Sequence, residues 1–130
     1  MEVEKLVSLA MNARNAAYAP YSRFAVGAAL LTASDECFVG CNVENRSFGL
    51  TICAERVAVG NALAAGYREF SRIAIVADSV EPISPCGACR QVLAEFAPNL
   101  SVISANLRGD RFESALSVLL PRATTGILED

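Results

Sequence analysis

Ile73-Ala74-Ile75-Val76-Ala77, a turn-rich run from Pro82 to Gly87, Cys89, Val92, Leu93 and Phe96 on one helical face, and then Leu100 to Ser104 make up the stretch that decides the fold. The first run is short, apolar and rich in β-branched residues, as a buried strand is. Pro98-Asn99 breaks the helix that follows, and the last run reads as another strand. Such βαβ units are expected to cross over right-handed. Upstream, Val3, Leu6, Val7, Ala10 and Met11 keep the spacing of an amphipathic helix over residues 3–17, which Ala19-Pro20-Tyr21-Ser22 ends. Residues 24–32 form a nearly unbroken apolar run, which fits a strand buried on both faces, and Ser34-Asp35-Glu36 turns it into a returning strand over 37–43. Residues 53–65 are small and apolar on nearly all sides, which predicts a central helix closed by Gly66. A short strand over 111–113 and a helix over 114–120 finish the pattern, and the tail from Pro121 has little of its own. The order is that of an α/β fold, one domain over residues 1–130, with helices on both faces of the sheet.

Composition narrows the chemistry. The 130 residues include 53% apolar and 19% charged side chains, a formal net charge of −3, five cysteines and no histidine. The slight acidity argues against nucleic acid as a partner. Without histidine there is no Ser-His or Cys-His mechanism and no His-ligated metal. Proton chemistry near neutral pH then falls to a carboxylate, a thiol or a metal-bound water. No run approaches eighteen uninterrupted apolar residues, so no membrane span is expected, and the charged start Met1-Glu2-Val3-Glu4-Lys5 is unlike a signal peptide. A cytoplasmic protein with an odd number of cysteines is expected to use them for metal binding or catalysis rather than disulfides. The apolar excess implies either a sheet covered on both faces or a subunit interface.

The cysteines sort by geometry. On a strand, Cys37 and Cys41 lie roughly 13 Å apart, while two sulfurs on one zinc stand no more than about 4.6 Å apart. They read as small core residues. Cys86-Gly87-Ala88-Cys89 starts a helix, so its thiolates lie one turn apart and can share an ion. Cys53 starts the central helix. These three make a candidate zinc site with one tetrahedral position open, the mark of a catalytic metal. A thioredoxin-like redox pair and a closed structural zinc are the rivals. The first leaves Cys53-Ala54-Glu55 unexplained, and the second lacks a fourth ligand. Glu55, two residues beyond Cys53, can reach the open position and carry a proton between a metal-activated water and a substrate nitrogen. Its bland alternative is a first-turn glutamate favoured by the helix dipole. Arg56 can donate to a thiolate and offset the negative charge of three sulfurs, with Arg90 a second candidate for that role.

Cys53-Ala54-Glu55-Arg56 with Pro85-Cys86-Gly87-Ala88-Cys89-Arg90-Gln91 resembles the small homotetrameric cytidine deaminases, in the all-cysteine version of the zinc deaminase signature. The likeness extends to Pro20-Tyr21-Ser22-Arg23-Phe24-Ala25-Val26-Gly27-Ala28-Ala29, to Gly40-Cys41-Asn42-Val43-Glu44-Asn45 and to Leu119-Leu120-Pro121. It implies a three-layer α-β-α fold with a mixed sheet of about five strands, one zinc per chain and a homotetramer with shared active sites. It implies hydrolytic deamination of cytidine and 2′-deoxycytidine in pyrimidine salvage. Phe24 would pack on the pyrimidine, Asn42 and Glu44 would bind the ribose 3′-hydroxyl, and the Ser84 carbonyl and Ala54 N–H would read the base edges. Without the motif, Asn42 and Glu44 would pass for edge-strand or turn polarity. Three departures stand out: Arg46 replaces a small residue, Phe48 replaces a tyrosine, and Arg122-Ala123-Thr124-Thr125 lacks the family's capping phenylalanine. The lost aromatic keeps in play a deaminase of a blasticidin-type nucleoside antibiotic, and the alternative from another class is a non-catalytic zinc-bound nucleoside-binding module, against which the intact Glu55 argues.

Overall fold

The structure is a computed structural model and describes residues 1–123. Helix α1 (Val3–Ala13) runs into a 3₁₀ turn (Arg14–Ala16), followed by strands β1 (Val26–Thr32) and β2 (Cys37–Cys41). A second 3₁₀ turn (Phe48–Leu50) leads to α2 (Ala54–Ala64) and β3 (Phe70–Ala77). Helix α3 (Gly87–Phe96), strands β4 (Ser101–Ala105) and β5 (Arg111–Ala115) and the short α4 (Leu116–Leu119) complete the order. The five strands form one sheet in the order β2-β1-β3-β4-β5. Only β3 and β4 pair in parallel, across α3; the other pairs are antiparallel. The expected mixed α/β sheet is therefore present.

Alternation within the strands builds two cores. Val26, Ala28 and Leu30 of β1 join Ile73, Ile75 and Ala77 of β3 in packing under α2 and α3. Ala29 and Leu31 join Ala74, Val76 and Ile103 under Leu6, Val7 and Ala10 of α1. Every residue of β1 is buried, which is why its sequence is apolar up to Thr32. Edge strand β5 is mostly exposed, carries Arg111 and Glu113, and is pinned to α1 where Arg111 donates to both carboxylate oxygens of Glu4 at 2.6 and 3.0 Å. Charged edges resist pairing with other chains.

The helix expected over 3–17 is shorter, because the chain tightens at Arg14–Ala16 and turns extended at Ala17. Strand β1 begins at Val26 rather than residue 24. The Asn42 side chain accepts from the Val26 N–H at 2.9 Å and donates to the Phe24 carbonyl at 2.8 Å, so this segment bonds to a side chain before it joins the ladder. Cys37 and Cys41 lie half-buried on edge strand β2 rather than deep in the core. Gly66, at φ +95°, follows α2 in the left-handed conformation that glycine adopts without strain. Among the described residues, no helix is long and apolar enough to cross a membrane.

Candidate active site and metal centre

The register brings the functional segments to one end of the sheet. Val26, which opens β1, pairs with Ala77, which closes β3, and Gly27 pairs with Cys41, which closes β2. The residues just before β1, just after β2 and just after β3 therefore meet there. Phe24 belongs to the first group, Asn42 and Glu44 to the second, and Ser84 and Cys86 to the third. Helix α2 reaches the same place because Gly40 on β2 lets its backbone close in: a Cβ on Gly40 would stand 2.4 Å from the Ala54 carbonyl oxygen. The result is a cavity of about 250 Å³ lined by Phe24, Asn42, Glu44, Cys53, Ala54, Glu55, Ser84 and Cys86 together with Ser22, Val26, Thr51 and Ile83.

Cys53 and Cys86 are the N-cap residues of α2 and α3, positions at which a polar side chain commonly folds back on the helix. Neither thiol does so, and both turn towards Cys89 in the first turn of α3. The Sγ atoms of Cys53 and Cys86 are 3.8 Å apart and those of Cys86 and Cys89 3.4 Å, with all three inside 4.8 Å of one another. Tetrahedral zinc with Zn–S bonds of about 2.3 Å separates its sulfurs by about 3.8 Å. The donor set and its spacing therefore fit a zinc ion. Cys37 and Cys41 are not part of this group.

The three sulfurs do not share charge evenly. Hydrogen bonding from Cys89, supported by Arg56 and Cys86, pulls the Cys53 thiol down to about 5 despite its burial. The Cys89 thiol moves far upward, because ionising it would forfeit its hydrogen bond to Cys53 and set a buried charge beside Glu55. Arg56 Nη2 donates to Cys53 Sγ at 3.5 Å, the contact expected of it, and this contact and Cys89 raise its own pKa. Its Nε is buried and has no hydrogen-bond partner among the described residues. Glu55 is only 4% exposed, the one buried charged side chain among the described residues. Burial, reinforced by the charge on Cys53, pushes its carboxyl up to about 6. A carboxyl poised there can both take and give a proton near neutral pH.

The sugar-binding candidates also have structural work. The Asn42 amide spans Phe24 and Val26, leaving one N–H and one lone pair free. Glu44 accepts from the N–H groups of Tyr21 and Ser22 at 3.0 and 3.1 Å and from the Ser22 hydroxyl, and these bonds lower its pKa. It thereby fixes the loop that presents Phe24, which is 37% exposed at the cavity. Ala54 supplies the first N–H of α2, which has no intrahelical partner. Arg90 departs from its expected role: its guanidinium donates to the carbonyls of Pro85 and Leu119. The carbonyl-rich turn beside it and the fork geometry of arginine outcompete the sulfurs. Arg46 is exposed, and Phe48, 75% exposed, packs edge-on to Tyr21 with centroids 6.0 Å apart. Thr124 and Thr125 lie outside the described residues. Ser22, Thr51 and Ile83 were not singled out from the sequence. For Ser22, the only signal was its place two residues before Phe24.

Residues 1–105 match the family described as cytidine and deoxycytidylate deaminase zinc-binding region. The chain is 50% identical over 126 residues to a cytidine deaminase of Halalkalibacterium halodurans, covering 96% of each. A crystal structure of cytidine deaminase from Burkholderia pseudomallei superposes with a TM-score of 0.91 at 52% identity, over 93% of this chain and 98% of that one. Similarity to a blasticidin-S deaminase of Bacillus cereus is lower, 30% over 104 residues and 74% of each chain. With the three-thiol centre, the buried glutamate and these likenesses together, the chain belongs to the cytidine and deoxycytidylate deaminase zinc-binding family.

Proposed function

We propose that the chain deaminates cytidine and 2′-deoxycytidine hydrolytically, giving uridine or 2′-deoxyuridine and ammonia, with one zinc per chain on Cys53, Cys86 and Cys89. The observation that carries this reading is the single cavity whose lining brings buried Glu55 together with Cys53, Cys86, Phe24, Asn42, Glu44 and Ser84. When bound, zinc supplies a water activated for attack at neutral pH.

Glu55 would carry both protons of the attacking water in turn, the first to ring N3 and the second, from the hydroxyl then on C4, to the amino nitrogen as the C4–N bond breaks. The water oxygen ends on C4, and ammonia leaves. Phe24 packs against the base. The Ser84 carbonyl accepts from the amino group, and the Ala54 N–H donates to the base carbonyl. The free lone pair of Asn42 and the ionised Glu44 hold the ribose 3′-hydroxyl, which rejects analogues lacking it. Arg56 steadies Cys53 by its hydrogen bond.

The protein acts in pyrimidine salvage in the cytoplasm as a homotetramer. Val43, Phe48, Leu50 and Ile52 expose apolar surface beside the cavity, an area that a second copy would cover while completing the site. The unit spans residues 1–130 as one domain.

The test follows the fall in absorbance as cytidine becomes uridine, for the wild type and Glu55→Gln, with zinc measured on the same samples. Both proteins should hold one zinc per chain. Activity should fall roughly 10²–10⁴-fold in the variant, and undiminished activity refutes the role of Glu55. Blasticidin S assayed alongside should turn over far more slowly than cytidine; the reverse ranking replaces the substrate assignment.

A further inference from the structure

Arg90 follows ligand Cys89 on α3, yet its side chain ignores the sulfurs. Its Nε donates to the Pro85 carbonyl at 2.8 Å and its Nη1 to the Leu119 carbonyl at 3.0 Å, while its backbone N–H donates to the Cys86 carbonyl at 2.9 Å. Gln91 Nε2 donates to the Ala123 carbonyl at 3.3 Å. Two consecutive side chains of α3 thus reach the segment 119–123, and one of them also grips the turn that precedes the helix. Pro85 has no N–H to offer, and it stands between Ser84 and Cys86. Among the described residues, the bond from Arg90 is the sole hydrogen bond made by the main chain from Pro82 to Pro85. A planar guanidinium joining two carbonyls is stiffer and stronger than a neutral contact.

We propose that Arg90 is a positioning residue: by joining the Pro85 carbonyl to the end of α4 it fixes the turn that presents both the Cys86 thiol and the Ser84 carbonyl. Its loss lets that turn drift. Cys86 then holds zinc less durably, and the Ser84 carbonyl meets the base less often. The effect on the base rests on the function proposed above, whereas the effect on metal retention does not.

The experiment uses the full zinc-loaded chain as wild type, Arg90→Ala, Arg90→Lys and Val102→Ala, the last a core substitution remote from the turn. Three quantities are read: the rate of zinc transfer to a chelating dye, KM and kcat for cytidine, and Tm. Arg90→Ala should transfer zinc about tenfold faster and raise KM more than it lowers kcat. Arg90→Lys, which keeps the charge and can reach one carbonyl, should fall between it and the wild type. Val102→Ala should lower Tm while its zinc transfer and KM stay at wild-type values. Zinc transfer at the wild-type rate in Arg90→Ala overturns the proposal, as does equal acceleration in Val102→Ala. If Arg90→Ala does not fold, the lysine variant decides alone: faster transfer than wild type supports the role and an unchanged rate overturns it. Failure to turn over cytidine in the wild type sinks the functional reading and leaves the metal measurement intact.

Discussion

On one face of the sheet, α1 lies against Gly27, where a Cβ would come 1.9 Å from the Ala10 carbonyl oxygen and 2.6 Å from the Arg14 nitrogen. On the other face, α2 lies against Gly40, where a Cβ would meet the Ala54 carbonyl oxygen at 2.4 Å and the Ala58 nitrogen at 2.5 Å. Both helices use a strand glycine to bring backbone against backbone. The difference is the part of the helix that is held. Gly27 holds the last turn of α1, and Gly40 holds the first turn of α2. A helix start offers free N–H groups and the positive end of the dipole, which favour thiolates and anionic groups. Cys53, Ala54 and Glu55 occupy that start, so one close contact serves packing on the α1 face and both packing and chemistry on the α2 face.

The strongest way to break this comparison is to fill the two glycines. Gly40→Ala should displace the start of α2 and cut kcat/KM by about 100-fold, with zinc per chain reduced. Gly27→Ala should cost about 1–3 kcal/mol of stability by overpacking while its folded fraction keeps full zinc. Metal analysis and steady-state kinetics beside urea denaturation separate the two, and equal zinc loss in both variants would dissolve the distinction.

A smaller effect sharpens it. The Glu55 carboxyl moves from its ordinary 4.5 to about 6 in the folded protein. Between those values the folded state binds more protons than the unfolded chain, so the contribution of Glu55 to stability falls as pH rises and levels off above 6. The shift corresponds to about 2 kcal/mol. Metal-free Glu55→Gln lacks this slope, so its stability advantage over the metal-free wild type should grow from pH 4 to pH 7 and then stay constant. A difference independent of pH would show that Glu55 is not held in a desolvated site.

The smallest effect belongs to the α1 face. Cys37 packs half-buried against the core beneath α1, and burial alone raises its thiol pKa. Cys37→Ala should change stability by about 1 kcal/mol or less and leave zinc at one per chain. Loss of metal from that variant would mean that the five cysteines are not divided between the faces in this way.

Much of the site was legible because its residues are tied to local structure. A cysteine at each of two helix starts and a glutamate two residues beyond the first suffice to suggest a three-sulfur centre with a proton carrier, and the sulfurs do converge. The buried strands were legible because a strand covered on both faces must be apolar throughout. Other features were not. Asn42 and Glu44 read as sugar contacts or turn polarity, and nothing local reveals that their side chains also hold Phe24 and the loop before it. Arg90 looked like a partner for sulfur because it neighbours Cys89 in sequence, but the Leu119 carbonyl that captures it is 29 residues away.

Helix and strand order, the identity of the candidate ligands and the exclusion of histidine chemistry follow from the sequence by itself, since periodicity, capping and side-chain chemistry act over a few residues. The strand order β2-β1-β3-β4-β5, the meeting of three strand ends in one cavity, and the burial that lifts Glu55 to about 6 were decided only by tertiary structure. Desolvation and convergence depend on which distant segments exclude water together, and that is settled when the glycine-gated contacts and the sheet register bring the helices onto the strands.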